Sequence, residues 1–108
     1  MIMITEAQIQ DVVRRIVEGY RPDQVILFGS YAYGTPNEHS DLDLLIIKQD
    51  AEAKRSERAI AIWSVLWGAE IPPMDILIRT PTEMEKAAGV FQSVETIAAQ
   101  QGRLLYAA

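Results

Sequence analysis

The sequence predicts a small mixed α/β (α+β) domain in which one β-sheet is flanked by helices. The 108 residues are enough for one modest hydrophobic core, so we expect a single domain over residues 1–108. Helical and strand-like hydrophobic patterns alternate along the chain, and polar, glycine or proline segments separate them. The predicted order is helix, strand, turn, strand, helix, strand, two helices and a final edge strand, which is typical of this fold class.

Composition and charge exclude several classes of function. The chain contains no cysteine, which excludes disulfides, thiolate catalysis and cysteine-ligated zinc. No apolar stretch approaches the ~20 residues that span a bilayer, and a secretory signal pattern is absent. We therefore expect a cytoplasmic protein without a membrane partner. The net charge of −5 argues against generic nucleic-acid binding, but not against a single nucleotide bound as its magnesium complex.

The first part of the chain predicts a helix followed by a strand. Thr5 and Gln8 match the two ends of a capping box. Apolar residues then recur at helical spacing: Ile9, Val12, Val13, Ile16 and Val17. We expect this amphipathic helix to end at Gly19, because glycine is common just past helix C-termini. Residues 25–28 form a short apolar run and predict a buried strand.

A glycine-serine turn separates this strand from the next one. Gly29 and Ser30 end the first apolar run, and Ser30 can cap a brief helical turn that closes at Gly34. A polar loop follows at residues 35–40. Residues 42–48 are again apolar and predict the second strand.

Residues 51–69 predict a long helix with a broad apolar surface. A surface helix needs an apolar face of only ~100°, but apolar residues cover more of this one: Ile60, Ile62, Trp63, Val65, Leu66 and Trp67. Core packing accounts for one face. Because so small a domain has little core for a second face, we also expect a homodimer or hetero-oligomer through this helix.

The last third of the chain predicts a strand, two helices and an edge strand. Residues 74–79 form the apolar run of the third strand. Thr82 and Glu85 match a capping box for the next helix. Residues 90–101 carry an apolar stripe at helical spacing, and residues 103–106 can add a strand at the edge of the sheet.

Three aspartates in or before apolar runs form the candidate site. Asp41 and Asp43 open the second strand and Asp75 lies in the third. Aspartate is disfavoured in strands, and a carboxylate facing a low-dielectric core is costly unless it is paired or bound to a metal. Asp41 and Asp43 share a face, and Asp75 can join them if the two strands are neighbours. All-oxygen ligands favour Mg²⁺ over zinc and suit two-metal phosphoryl transfer.

Gly29 and Ser30 provide the matching phosphate site. Gly29 lets the backbone approach a ligand closely, and Ser30 offers a hydroxyl and backbone N–H groups at the start of a short helix. Each feature alone has a simpler explanation, such as an ordinary turn or a solvated cap. Together with the aspartates, they predict a phosphoryl-transfer site.

The candidate site residues follow one pattern along the chain: Gly29-Ser30, ten intervening residues, Asp41-Leu42-Asp43 and a later Asp75. This pattern resembles the hallmark of the nucleotidyltransferase superfamily whose core is similar to DNA polymerase β. Residues 27–34 and 40–45 are similar to the minimal nucleotidyltransferases (MNT domains, MntA-type antitoxins). The resemblance implies a polymerase β-like core, ATP as nucleotide donor and two Mg²⁺ ions. It implies that Asp41 and Asp43 bind the metals, that Asp75 completes the site as general base, and that Gly29 and Ser30 hold the triphosphate.

The resemblance also implies a partner, because minimal nucleotidyltransferases are often encoded beside a helical HEPN protein. Such an enzyme transfers AMP from ATP to a tyrosine hydroxyl of the HEPN toxin. Two alternatives are a non-catalytic antitoxin that neutralises its partner by complex formation, and a small-molecule nucleotidyltransferase of the aminoglycoside type. Many relatives carry arginine at the position where this chain has Tyr33. The resemblance therefore implies either a weaker phosphate contact or a shift of that role to Arg79 or Lys48.

Overall fold

A computed structural model describes residues 3–108 and centres on a four-stranded mixed sheet. The strands are β1 (Gln24–Phe28), β2 (Leu42–Ile47), β3 (Met74–Arg79) and β4 (Arg103–Ala107), in the spatial order β3-β2-β1-β4. β1 is antiparallel to both β2 and β4, whereas β2 and β3 are parallel. The mixed sheet, the third strand and the edge strand are therefore confirmed.

Helices cover both faces of the sheet. They are α1 (Glu6–Tyr20), α2 (Ser30–Tyr33), α3 (Arg55–Leu66), α4 (Pro81–Ala88) and α5 (Val94–Gln101). α3 makes the crossover that a parallel β2–β3 pair requires. In the described residues, no helix is both long and apolar enough to cross a membrane.

The larger hydrophobic core lies between the sheet and helices α1 and α3. Its fully buried side chains come from both layers and include Val12, Ile16, Leu27, Leu44, Ile46, Ile62 and Leu66. The opposite face has a smaller cluster, in which Ala98 of α5 packs with Ile26, Phe28 and Leu45. Alternate residues of β2 thus face the two cores, and Asp43 projects on the side of the smaller one.

The predicted end of α1 is wrong by one residue, and the predicted role of Gly19 is wrong as well. The capping box of Thr5 and Gln8 is present as predicted, but the helix ends at Tyr20, with Arg21 in the left-handed conformation at φ 55°. A Cβ on Gly19 would lie 2.8 Å from the Cβ of Val65. Gly19 therefore lets α1 and α3 pack closely, rather than ending the helix.

The other helices also begin later or earlier than predicted. α3 covers only Arg55–Leu66 of the predicted range 51–69, and Gly68 follows it at φ 79°. α5 begins at Val94 rather than at residue 90, because the hydroxyl of Ser93 caps it by accepting from the N–H of Thr96. Val90 is 60% exposed and Val94 47%, whereas Ala98 is buried, so only the C-terminal part of the apolar stripe predicted over 90–101 lines the core.

The capping box of α4 lies two residues before the predicted one. Thr80, not Thr82, accepts from the N–H of Glu83, and Glu83 in turn accepts from the N–H of Thr80. Both pairs have the same spacing, but Pro81 occupies the first helical position, where its fixed φ is favourable and its missing N–H costs nothing. Glu85 stays exposed.

Buried Arg58 ties α3 to β3 and α4. It donates hydrogen bonds to the carbonyl oxygens of Glu52 and Ile78 and to Glu83 Oε1, the last at 2.6 Å. Burial alone would raise the pKa of Glu83, but the hydrogen bond from Arg58, the N–H of Thr80 and the nearby positive charge outweigh it and lower the pKa to about 2. The ionised pair therefore stabilises the folded state at neutral pH.

We expect Glu83→Gln to lower the free energy of unfolding by about 2 kcal/mol at pH 7, because it leaves the buried Arg58 without its charged partner. The folded pKa of Glu83 lies below the ordinary value of 4.5, so this stabilisation is complete above that value and is lost as the pH falls towards about 2. Urea denaturation at several pH values measures the difference. Glu85→Gln, on the exposed side of the same helix, is the control; an equal loss in both variants would contradict the assignment.

Candidate active site

Strand register brings Asp43 and Asp75 side by side. Asp43 is the direct partner of Phe28 in antiparallel β1 and of Asp75 in parallel β3. Paired residues on neighbouring strands point to the same face of a sheet, so the two carboxylates project together. The backbone N–H of Leu42 donates to the carbonyl oxygen of Pro73 at 2.9 Å, which continues the pairing up to Asp41. The expected adjacency of the second and third strands is confirmed.

The three aspartates lie where the strands meet solvent rather than in the core. Asp41 and Asp75 are exposed, and Asp43 is partly buried. The expectation that all of these charges face a low-dielectric core is therefore wrong. Asp41 precedes β2, and Asp75 is the second residue of an edge strand, so water reaches both carboxylates. Asp43, on a central strand, is the one that carries a desolvation cost.

The electrostatics of the site centre on Asp43. Its burial raises the pKa of this carboxyl group, and the negative charges of Asp75 and then Asp41 raise it further. The three side chains are thus close enough to repel one another. A bound cation would relieve both the repulsion and the desolvation, which is the electrostatic signature of a ligand-binding cluster.

Gly29 gives the Asp43 carboxylate its space. At φ 73°, it adopts a conformation that L side chains rarely populate, and a Cβ placed there would lie 2.1 Å from Asp43 Oδ2. The carbonyl oxygen of Gly29 also accepts from the N–H groups of Ala32 and Tyr33, at 3.0 and 3.1 Å, and so starts α2. Ser30 is the first residue of this helix and is partly buried. Gly29 of the predicted glycine-serine turn therefore lies directly against the Asp43 carboxylate.

The loop before Asp41 is fixed by side chains that the sequence reasoning missed. Asn37 Oδ1 accepts from the N–H of His39 at 2.8 Å, and the hydroxyl of Ser40 accepts from the N–H of Asn37 at 2.9 Å. These bonds form an Asx-type turn that holds the chain immediately before Asp41. The asparagine followed three residues later by serine is the signal that could have predicted it.

Comparison with known proteins decides the family. The sequence profile of the nucleotidyltransferase domain matches residues 7–104, which include every element from α1 to the start of β4. The chain belongs to the nucleotidyltransferase domain family. Asp41, Asp43, Asp75, Gly29 and Ser30 all lie inside the matched region, and the enzyme class that the sequence predicts is confirmed.

Two other proteins are similar to this nucleotidyltransferase domain, one in a short stretch of sequence and one in fold. A short segment is 53% identical over 34 residues to a Methanocaldococcus jannaschii protein provisionally named a protein adenylyltransferase, which is 32% of this chain but only 23% of that protein. A crystal structure of a provisionally assigned nucleotidyltransferase from Sulfolobus solfataricus superposes with a TM-score of 0.65 at 16% identity, covering 94% of this chain and 78% of that one. This likeness confirms the predicted fold class.

The carboxylates fit Mg²⁺ that arrives with the nucleotide. Among residues 3–108, no group of three or more His, Cys, Asp or Glu side chains converges on one point as a ready-made metal site. Mg²⁺ does not need such a cage, because it is commonly held by one or two carboxylates while waters and substrate phosphates fill the other positions. Asp43, whose pKa is raised by burial and by its two neighbours, would provide the negative centre for that arrangement.

The expectation that Arg79 or Lys48 contacts the phosphates is wrong. Arg79 is only 7% exposed; it donates to Glu95 at 3.2 Å and to the carbonyl oxygen of Ile78 at 2.9 Å. Lys48 follows the opposite end of β2 from Asp43, where it binds Asp50 at 3.1 Å. At ~3.3 Å per residue, both lie more than about 12 Å along their strands from the aspartates. Both cations stabilise the far end of the sheet.

We expect Gly29→Ala to destabilise the protein and to reduce nucleotidyl transfer strongly, because the new Cβ collides with Asp43 Oδ2 in addition to straining the backbone. Gly68→Ala is a matched control: its φ of 79° is similar, but nothing lies within 4 Å of its added Cβ. It should cost only the left-handed strain of about 1–2 kcal/mol. Chemical denaturation and activity assays of both variants measure the difference. Equal behaviour of the two variants would contradict the proposed contact.

We expect Tyr33→Arg to tighten the binding of Mg·ATP about tenfold, which is about 1.4 kcal/mol. Tyr33 is 46% exposed on the helix that Gly29 starts, and residues 22–47 contain no lysine or arginine. A guanidinium there would add a charge-assisted contact to phosphate. Isothermal titration measures the affinity, and Tyr33→Gln controls for loss of the ring. Unchanged affinity in Tyr33→Arg would place the phosphates away from α2.

Proposed function

We propose that this nucleotidyltransferase transfers the AMP group of ATP to a tyrosine hydroxyl of a HEPN-family toxin and so acts as an antitoxin. The observation that carries the site assignment is the register that sets Asp43 beside Asp75 and against Gly29. The protein acceptor is supported by the matching segment of a relative provisionally named a protein adenylyltransferase. The resemblance to minimal nucleotidyltransferases supports the choice of ATP and of the HEPN partner.

In this proposal, each residue of the site has a stated task, and Asp75 has two. Asp41 and Asp43 hold Mg²⁺, and Asp75 completes the metal site. The Ser30 hydroxyl and nearby backbone N–H groups hold the triphosphate where Gly29 allows close approach. When bound, Mg²⁺ neutralises the phosphates and stabilises the charge that builds up on the leaving group.

The reaction is a single displacement at the α-phosphorus. The acceptor oxygen forms a bond to this phosphorus while the bond to the bridging oxygen of pyrophosphate breaks, and pyrophosphate leaves. The proton of the acceptor hydroxyl passes to the Asp75 carboxylate, which acts as general base. Asp75 is exposed on an edge strand, so a hydroxyl on the surface of another protein can reach it. That openness favours a macromolecular acceptor over a small molecule enclosed in a pocket.

The experiment combines the purified chain, a HEPN-family protein from the same genome, Mg²⁺ and ATP labelled at the α-phosphate. We expect label on the HEPN tyrosine with the wild type. Asp43→Asn should lower the rate by at least ~10³, because a metal ligand is lost, and Asp75→Asn by ~10²–10⁴, because the general base is lost. Glu38→Gln removes an exposed carboxylate from the preceding loop and should leave the rate unchanged.

A second candidate, neutralisation by complex formation alone, is favoured by the exposed apolar side of α3, where Trp67 is 89% exposed. Cell survival in the presence of the toxin separates the two. If Asp41→Asn and Asp43→Asn together abolish protection while the complex still forms, catalysis is the operative function. If the double variant still protects, complex formation is sufficient and the proposed role of transfer is wrong.

A further inference from the structure

The solvent side of α3 carries an uncharged stripe that no other part of the described chain covers. We call it the α3 stripe, and it consists of Ser56, Ala59, Ile60, Trp63 and Ser64 of α3 together with Trp67, the C-cap residue that follows the helix. Ile60 is 71% exposed, Trp63 40% and Trp67 89%, and with their small neighbours they line a shallow apolar groove. Exposed apolar patches of this kind mark sites of association.

The stripe is separate from the helix face that builds the core. Ile62 and Leu66 are 1% exposed and pack against the sheet and α1. On a helix of 3.6 residues per turn, Ile60 and Trp67 lie about 100° or more around the axis from both of these residues. Trp63 lies between the two faces, about 60° from Leu66. The outer part of the stripe, at Ile60 and Trp67, is therefore an apolar surface beyond the face that packs on the core.

We propose that the α3 stripe binds the same stripe of a second copy of this chain, with the two helices antiparallel. The spacing of residues 56, 60, 63 and 67 is the alternating four-three-four pattern of a helix-pairing seam. If the twofold axis passes between Ile60 and Trp63, Ile60 of each copy faces Trp63 of the other. Trp67 then faces the small Ser56, so the largest side chain meets one of the smallest.

Charge favours the antiparallel direction. Lys54 precedes the stripe and Glu70 follows it, and both are exposed. An antiparallel pair brings Lys54 of one copy towards Glu70 of the other, whereas a parallel pair would set like charges together. Glu57, the remaining acidic residue of α3, lies about a quarter turn away from the seam. The seam itself thus contains no charge that pairing would bury.

The expected dimer is of moderate strength. With ~150–250 Å² for a fully exposed aromatic side chain, the exposed fractions of Ile60, Trp63 and Trp67 give about 400 Å² of apolar area per copy. A stable interface typically buries ~800 Å² per partner, so the stripe supplies about half of that area. We therefore expect a dissociation constant in the micromolar range. Because α3 and Asp43 lie on opposite faces of the sheet, the dimer leaves both active sites open, and the inference does not depend on the proposed acceptor.

Sedimentation and intrinsic fluorescence of the purified chain test the dimer. We expect the mass to rise from 12.1 kDa to twice that value between ~1 and ~100 μM. Both tryptophans of the chain belong to the stripe, so their emission should shift to shorter wavelength over the same range. Trp67→Glu should stay monomeric without losing stability, since its side chain is outside the core.

Phe91→Glu is the matched control, because Phe91 is also 89% exposed but lies between α4 and α5. It should dimerise like the wild type. A wild type that stays monomeric at ~100 μM, or a dimer that persists in Trp67→Glu, overturns the proposal. A monomer that binds the HEPN protein only when Trp67 is intact also overturns it, and assigns the stripe to that partner.

Discussion

The position of β2 between an antiparallel and a parallel neighbour is the constraint on which the site depends. Antiparallel pairing with β1 brings the end of that strand, and with it Gly29, to the start of β2. Parallel pairing with β3 brings Asp75 to the same level. Asp43 therefore stands between a glycine that makes room for it and a carboxylate that repels it. Neither contact survives a shift in register, because a shift of one residue turns every side chain of the strand to the other face.

The two faces of the sheet carry different parts of the molecule. The face under α1 and α3 holds the larger core, and the outer side of α3 carries the apolar stripe. The other face holds the smaller core beneath α5 and, beyond it, the carboxylates. Buried Arg58 links the layers, since it joins α3 to the carbonyl oxygen of Ile78 near the end of β3 and to Glu83 at the start of α4. The larger core and the exposed stripe thus lie on the opposite face of the sheet from the acidic site, where a bound cation would relieve the repulsion.

Local sequence patterns predicted the features that neighbouring residues determine. They failed where contacts between distant parts of the chain determine the structure. The capping box at Thr5 and the strand at residues 74–79 were predictable because the local sequence pattern and the tertiary packing favour the same structure. Two capping boxes of equal spacing are possible near α4. The earlier one forms because Pro81 is favourable at the first helical position and because Arg58 forms an ion pair with Glu83. In the sequence, Gly19 resembles a residue that ends a helix, but in the structure it packs closely against Val65. The proximity of Asp41, Asp43, Asp75 and Gly29 was predictable from the sequence, whereas their exposure and the distant positions of Arg79 and Lys48 depend on sheet order, which no local pattern contains.

A crystal structure of this chain with Mg²⁺ and a non-hydrolysable ATP analogue tests the central claim most directly. The account predicts Mg²⁺ at about 2.0–2.1 Å from carboxylate oxygens of Asp41 and Asp43, with Asp75 beside the α-phosphate and the outer phosphates against Gly29 and Ser30. A metal bound away from Asp43, or phosphates that leave the Gly29 turn free, would contradict it.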